Sequence, residues 1–208
     1  MFEIILISIV ILITLFIILG SIYAIWIGYE QWQYMHDPHK MLFLSSTNNQ
    51  INQKLDDIIS KHLTQTQNYN LVELGCGKAV ILKHLAQIYQ WKSVTGIEGQ
   101  KSVWLQACLN CYLLPKLNTK QNHNNLVISN QIQLLNQNIF EYKSQKPTFH
   151  YCYLGVKLMR ELYDKGLFAN SIVVSLDYEM QGIEPIEIIE LTTNSKIQNR
   201  LLVYSFLS

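Results

Sequence analysis

The chain has 208 residues, enough for one globular domain at roughly 100 to 200 residues per domain and too few for two catalytic domains with a linker. Hydrophobic residues make up 49% of the chain and charged residues only 15%, so an apolar excess must be concentrated somewhere. The formal net charge is +1 and no basic block occurs, which argues against nucleic acid as the main partner.

The apolar excess lies at the N-terminus. Segment 4–27 contains no ionisable side chain, and at about 1.5 Å per residue it extends about 36 Å, enough to cross a hydrocarbon core of about 30 Å. Aromatic residues typical of the headgroup level, Trp26, Tyr29, Trp32 and Tyr34, follow it. We predict a single transmembrane anchor over residues 1–30, then a juxtamembrane and lead-in segment over residues 31–48.

A cleaved signal peptide is the competing interpretation of this segment. It would need a basic start, a shorter apolar core and a small-residue cleavage site, whereas Glu3 stands at the start and no A-x-A pattern precedes Trp26. Lys40, Lys54 and Lys61 follow the span and no Lys or Arg precedes it, so the positive-inside rule places the remaining chain on the cytoplasmic side.

Residues 49–208 alternate short apolar runs with helical patterns, which indicates an α/β domain with a mostly parallel sheet. The predicted helices cover 49–62, 79–89, 102–114 and 156–164. The predicted strands cover 71–74, 93–97, 132–136, 149–154, 171–176, 186–191 and 200–207. The last two strands leave no room for a helix between them, so we expect an antiparallel pair at the sheet edge after five βα units.

The turn after the first strand carries the most informative motif, VELGCGKA. Gly75 and Gly77 allow a tight turn and a close approach of the backbone to a ligand at the carboxyl edge of the sheet. A dinucleotide fingerprint would need a third glycine where Val80 stands, and the P-loop pattern is absent.

Acidic and polar residues follow the first three strands. Glu73 precedes the glycines by two and disfavours a pyrophosphate, whereas it attracts a cation such as the sulfonium of S-adenosylmethionine. Glu98 ends the second strand, where a carboxylate accepts hydrogen bonds from ribose hydroxyls, and Asn138 and Ile139 follow the third, where they would contact adenine. Taken singly, Glu98 is a solvated carboxylate and Asn138 a turn former; their common register with the glycines favours a cofactor site.

Candidate acceptor-site residues follow the fourth and fifth strands. If the ligand at the glycine turn is S-adenosylmethionine, transfer of its methyl group needs an acceptor that is aligned, shielded from water and, for a lysine, deprotonated. Tyr151, Tyr153, Asp177 and Tyr178 lie where such a pocket would form, although the fourth strand equally suits a plain buried strand. His150 alternates away from the face of Tyr151, so we expect it to be structural.

This order of parts resembles the class I S-adenosylmethionine-dependent methyltransferases, which have a Rossmann-like seven-stranded sheet. Within that group the chain looks most like the membrane-anchored lysine N-methyltransferases that act on mitochondrial ATP synthase subunit c and on the adenine nucleotide translocase, with their bacterial relatives. The matching segments are FLSSTNNQINQKLDDII, VELGCG, VTGIE, NIF, FHYCYLGVKLMREL and SIVVSLDYEMQGIEP.

The resemblance implies S-adenosylmethionine as cofactor, a lysine of a membrane-associated protein as substrate, and a single-pass protein of a bacterial inner membrane. It assigns catalytic roles to Tyr151, Tyr153 and Asp177. The cofactor-binding residues that it implies are Phe43, Thr47, Glu73, Gly75, Cys76, Gly77, Glu98, Gly99, Asn138, Ile139 and Tyr151.

The chain departs from the family pattern after the second glycine, where Lys78 and Ala79 replace an acidic-Gly pair, and at His150, where Asp is common. Two other functions therefore stay open: methylation of a lipid-soluble small molecule such as a quinone precursor, and a non-catalytic, membrane-anchored binding or assembly role. Cys108 and Cys111 lie in a helical pattern without a second ligand pair, so we expect no metal.

Overall fold

A computed structural model describes residues 2–36, 49–113, 132–191 and 200–207. The chain divides into two units, residues 1–42 and residues 43–208. Two predicted cofactor-site residues, Phe43 and Thr47, lie outside the described residues.

The first unit contains helix α1 (Phe2–His36), which continues past the predicted end of the anchor at residue 30. Its segment Ile5–Gln33 is, among the described residues, the one helix long and apolar enough to cross a membrane. Its apolar side chains are exposed, with Phe16 81% and Ile25 73% accessible. A helix that is hydrophobic all round finds a favourable surrounding in lipid, so length and composition agree with the predicted span.

The second unit is built on a seven-stranded sheet in the order β3-β2-β1-β4-β5-β7-β6. The strands are β1 (Asn70–Leu74), β2 (Ser93–Ile97), β3 (Ile132–Leu135), β4 (Thr148–Cys152), β5 (Ser171–Leu176), β6 (Glu187–Glu190) and β7 (Arg200–Ser205). The first five are parallel, and β7 is antiparallel to both β5 and β6. The predicted antiparallel pair at the sheet edge is confirmed.

Within the described part of the second unit, four helices flank the sheet: α2 (Asn49–His62), α3 (Val80–Ile88), α4 (Lys101–Cys108) and α5 (Val156–Asp164). The predicted bounds of α2 and α5 are confirmed. Apolar side chains recur at helical spacing along each of them, which made both helices recognisable in the sequence. After α4 the chain continues as a π-helical turn, Leu109–Leu113, which the sequence pattern did not distinguish from an α-helix.

The expectation of five βα units is wrong for two connections. Between β3 and β4 the chain forms only a short 3-10 helix, Ile139–Glu141, and between β5 and β6 it forms no helix. Pro185 stands in the second connection and Gly182 has φ +78°, and neither residue favours a helix interior.

Helices α2 and α3 cover one face of the sheet. Ile51 and Leu55 of α2 and Leu82 and Leu85 of α3 are fully buried in the cluster that also contains Tyr151. Burial of such side chains contributes about 1.5 to 3 kcal/mol each. This packing fixes the position of α3, whose first turn faces the glycine turn.

His150 lies on the opposite face, in register with Val72 and Val173 on the neighbouring strands. The side chain is fully buried, and its ring meets the ring of Phe168 edge-on with centroids 5.3 Å apart. Burial, and secondly the positive charge of Lys146, lower the pKa of His150 to about 3. His150 is therefore a neutral core residue and not a general base.

This burial predicts a pH-dependent stability. The unfolded histidine, with a pKa near 6.5, binds a proton between about pH 6.5 and 3 that the folded one does not, so stability falls as the pH drops through that window. Chemical unfolding of the chain in detergent micelles should show a His150 contribution that decreases by about 2 kcal/mol from pH 7 to pH 5.

The control is the variant His150→Phe, measured at the same pH values. The pH dependence must be taken as the difference between the two proteins, because Glu73, with a pKa raised to about 8, contributes with the opposite sign between about pH 4.5 and 8. Equal pH dependence in both proteins would contradict a buried neutral His150.

Candidate functional site

The glycine turn follows β1 directly. Gly75 has φ +70° and Gly77 has φ +56°, values in the left-handed region that glycine adopts without a Cβ penalty. A Cβ on Gly75 would lie 3.2 Å from Leu154 Cδ2. The backbone N–H of Cys76 donates to the carbonyl of Ile97 at 2.9 Å, so the turn is attached to the end of β2.

Glu98 connects this turn to the start of α4. The backbone N–H of Gly77 donates to Glu98 Oε2 at 3.0 Å, and that of Gln100 donates to Glu98 Oε1 at 2.8 Å. The residue is only 8% exposed, and the two charge-assisted bonds offset the cost of its burial. The structure therefore places Glu98 against the glycine turn and gives it a structural role that the sequence did not reveal.

Glu73 lies beneath the first turn of α3. Its Oε2 accepts a hydrogen bond at 2.9 Å from the backbone N–H of Leu82, one of the donors that a helix N-terminus leaves unpaired. Burial raises the pKa of Glu73 to about 8; the bond from Leu82 opposes this shift, and the charge of Glu98 adds to it. The two carboxylates thus interact at the ends of adjacent strands.

Lys78 and Ala79 complete the turn. Lys78 is exposed, and its carbonyl accepts a hydrogen bond at 2.9 Å from Asn110 Nδ2. Ala79 is fully buried and has φ +56°, a conformation that costs a non-glycine residue about 1 kcal/mol or more. This explains physically why a glycine is favoured at that position. No sequence pattern predicts this contact of Asn110, which lies on the π-helical turn.

The segment after β3 differs in part from the expectation. Asn138 is exposed, and its Oδ1 accepts from the backbone N–H of Phe140 at 3.0 Å, the turn-forming role that the residue type favours alone. Asn136, which sequence reasoning missed, donates from Nδ2 to the carbonyls of Glu98 at 2.9 Å and Gly99 at 3.2 Å. Its only sequence signal is a polar residue directly after a strand.

Two tyrosines meet at the ends of β4 and β5. The rings of Tyr153 and Tyr178 lie with centroids 5.7 Å apart and planes inclined by 31°. Because both strands are parallel to β1, this pair stands at the same edge of the sheet as the glycine turn. Tyr151 is 1% exposed, belongs to the core cluster and pairs in register with Glu73. The structure thus places Tyr153 at the carboxyl edge of the sheet, here called the rim, and Tyr151 in the core.

Asp177 forms the corner between β5 and Tyr178. It has φ +61°, a value that Asp tolerates better than most residues. Its backbone N–H donates to the carbonyl of Arg200 at 2.9 Å, and its Oδ1 accepts from the N–H of Arg200 at 3.2 Å. These bonds to β7 hold the turn that carries Tyr178.

The cysteines form no disulfide among the described residues. Burial raises the pKa of Cys111 to about 11 and also raises that of Cys76, so both are thiols at neutral pH. In the described ranges, no group of three or more His, Cys, Asp or Glu side chains is placed to hold a metal ion.

No protein-family model and no curated protein matches the chain. The chain does match solved structures. An RNA methyltransferase from Salinibacter ruber in complex with S-adenosyl-L-homocysteine is 16% identical with a TM-score of 0.62, covering 79% of this chain and 95% of its own. The METTL16 methyltransferase domain is 10% identical with a TM-score of 0.57, and the match covers 91% of this chain and 97% of that domain. The ribosomal protein L11 methylase from Lactobacillus delbrueckii subsp. bulgaricus is 13% identical with a TM-score of 0.55, and the match covers 79% of this chain and 82% of that protein.

The chain has the class I methyltransferase fold. The strand order and the antiparallel β7 confirm this expectation from the sequence. In a parallel sheet of this kind, ligands bind outside the carboxyl ends of the strands. The glycine turn, Glu98 and the Tyr153–Tyr178 pair all stand at that edge of the methyltransferase fold.

Proposed function

We propose that the chain is an S-adenosylmethionine-dependent methyltransferase, held at a membrane by α1, that methylates a lysine side chain of a membrane-associated protein. The observation that carries the proposal is the pair of buried carboxylates, Glu73 and Glu98, on either side of a glycine turn in a methyltransferase fold.

The residues around the turn fit this cofactor in charge and shape. Glu98, and Glu73 once a nearby cation favours its ionised form, attract a ligand that carries a sulfonium and an ammonium. A carboxylate has about four lone-pair sites, so Glu98 can accept ribose hydroxyls while it keeps its two backbone bonds. In the proposal Glu73, Gly75, Cys76 and Gly77 hold the methionine part.

The remaining cofactor contacts come from neighbouring strand ends. Glu98 and the backbone of Gly99 hold the ribose, and Asn138 and Ile139 line the adenine. Asn136 fixes the loop that carries Glu98 and Gly99 through its two carbonyl contacts. When bound, the cofactor supplies an electrophilic methyl group, which a neutral amine can accept.

In the proposal, Tyr153 and Tyr178 form the wall of the pocket that binds the methyl acceptor. The faces of Tyr153 and Tyr178 would bind an ammonium through cation–π attraction and shield it from water. Removal from water lowers the pKa of a lysine, ordinarily near 10.4, and favours the neutral amine. Asp177 positions Tyr178 through β7, and Tyr151 supports Tyr153 from the core.

The charge around this rim favours a basic protein acceptor. Segment 177–190 contains five acidic residues and no basic one; two of the five have cationic partners, since Glu187 pairs with Lys61 and His62 and Glu179 lies 3.9 Å from Arg200. Such a segment attracts a lysine-bearing peptide and repels a phosphate backbone. Although RNA methyltransferases are among the structural neighbours, the excess of acidic residues in this segment supports a protein acceptor.

The apolar helix gives the proposed reaction its location. Anchoring by α1 raises the effective concentration of acceptors in the same bilayer without any new contact. Lys54 and Lys61, which follow the span in sequence, support a catalytic domain on the cytoplasmic side of a bacterial inner membrane.

Glu98→Ala should weaken the binding of S-adenosylhomocysteine at least about tenfold, because the ribose loses charge-assisted bonds worth about 1.5 to 3 kcal/mol each. Calorimetric titration of the full chain in detergent micelles measures this affinity. Glu190→Ala, which removes an exposed carboxylate on β6, is the matched control and should bind as the unchanged chain does. Absence of binding by folded, unchanged chain would instead favour the non-catalytic binding or assembly role.

Tyr178→Ala should lower kcat/KM for methyl transfer by about threefold to thirtyfold, the range expected from a lost cation–π contact of about 0.7 to 2 kcal/mol, whereas Tyr178→Phe should retain most activity. The assay incubates the chain with a labelled methyl donor and native membranes, and mass spectrometry locates the label.

The matched control for this assay is Tyr163→Ala, which removes a half-buried tyrosine near the end of α5. We expect label on lysine of a membrane protein and normal activity of the control. Label in the lipid fraction would show a small-molecule methyltransferase, and label on RNA would contradict the proposed acceptor.

A further inference from the structure

A recess between the β3–β4 connection and the end of α5 plays no part in the proposed reaction. Its volume is about 510 Å³, within the range of about 300 to 1,000 Å³ typical of small-molecule sites. It is lined by residues 139–144, Lys146, Leu162 and residues 165–167. Of the residues placed at the cofactor edge, Ile139 is shared, while the glycine turn, Glu98 and the tyrosine pair do not line it.

Three lysines surround the recess: Lys143, Lys146 and Lys165. None of the ion pairs in the described part of the chain involves any of them. With Glu141, the one acidic residue of the lining, the recess carries a net charge of +2. Because the positive charges exceed the single negative charge of the lining, the lysines repel one another, and a bound anion would lower the electrostatic free energy of the recess.

Two of the ammonium groups have contacts that fix their direction. Lys165 Nζ lies 4.5 Å from the centroid of the Phe140 ring, and Lys146 Nζ donates to the carbonyl of Gly166 at 3.3 Å. An ammonium has three donors, so Lys146 keeps two for a ligand. The positive charge of Lys146 also reaches the core, where it adds to the effect of burial in lowering the pKa of His150.

The remaining lining is apolar and aromatic. Leu162 and Leu167 are buried beneath the recess, and Phe140 stands at its side. A ligand that fits this lining combines a compact anion with an organic group. A phosphate matches best, because it carries a charge near −1.5 to −2 and three strong acceptor oxygens, against a net charge of +2.

We propose that this recess binds the phosphate group of a small organic phosphate or of a phospholipid headgroup, with Lys143, Lys146 and Lys165 as its ligands. A polynucleotide is a different class of partner and is disfavoured, because it would need an extended basic surface. The site is separate from methyl transfer, and its occupation does not depend on the proposed acceptor.

The probe is glycerol 3-phosphate, titrated calorimetrically into the full chain in phosphatidylcholine nanodiscs. We expect saturable binding with one site per chain. The double variant K143Q/K165Q should bind at least about tenfold more weakly, since it removes two charge-assisted contacts to the phosphate. K143R/K165R should retain binding, which separates charge from loss of fold.

The matched control is K54Q/K157Q, which removes the same charge at two exposed lysines that are paired with Asp57 and Glu161. It should bind glycerol 3-phosphate within about twofold of the unchanged chain, as expected for exposed pairs far from a ligand. S-adenosylhomocysteine titrated in parallel should bind all variants equally, so failure of this site and failure of the cofactor site are distinguishable.

Nanodiscs that contain phosphatidylglycerol separate the two sources of phosphate. A weaker apparent affinity for the probe there shows that lipid headgroups occupy the recess, and an unchanged affinity shows a soluble ligand; both support the site. No saturable binding in phosphatidylcholine nanodiscs, or equal loss in K54Q/K157Q, would overturn it. Tighter binding of a single-stranded RNA with the same dependence on Lys143 and Lys165 would also overturn it.

Discussion

The geometry of the site depends on the hydrogen bonds that the Glu98 carboxylate accepts from two backbone N–H groups. A carboxylate that is 8% exposed costs free energy unless hydrogen bonds replace its water, and the backbone N–H groups of Gly77 and Gln100 supply them. One of these donors belongs to the turn after β1 and the other precedes α4, so a single side chain holds two loops at the edge of the sheet. The geometry of the glycine turn therefore does not depend on a ligand.

Glu73 is a second carboxyl group at the turn, and its protonation state depends on its surroundings. Its pKa of about 8 leaves the group largely protonated near neutral pH, and a nearby cation would favour the ionised form. The bond from the backbone of Leu82 meanwhile ties the start of α3 to β1. A cationic nucleoside would therefore favour the ionised form of Glu73, whereas a pyrophosphate would be repelled by Glu98 and would keep Glu73 protonated.

The sequence predicted the sheet well because apolar runs of strand length alternate with helical spacing, and β2, β5, α2 and α5 begin and end as expected. It failed where the deciding contact is tertiary. Tyr151 is buried in the core cluster with side chains of α2 and α3, and the hydrogen bonds of Asn136 and Asn110 depend on loops that no periodic pattern specifies. The lysines around the recess come from two distant segments, which only the fold brings together.

The most direct test is a crystal structure of residues 43–208 or of the full chain with S-adenosylhomocysteine. We predict that the ribose hydroxyls lie within hydrogen-bond distance of Glu98 and that the amino acid part lies against Gly75–Gly77, with the two backbone bonds to Glu98 retained. The nucleoside bound elsewhere on the sheet, or a turn that stays empty at saturating ligand, would contradict the account.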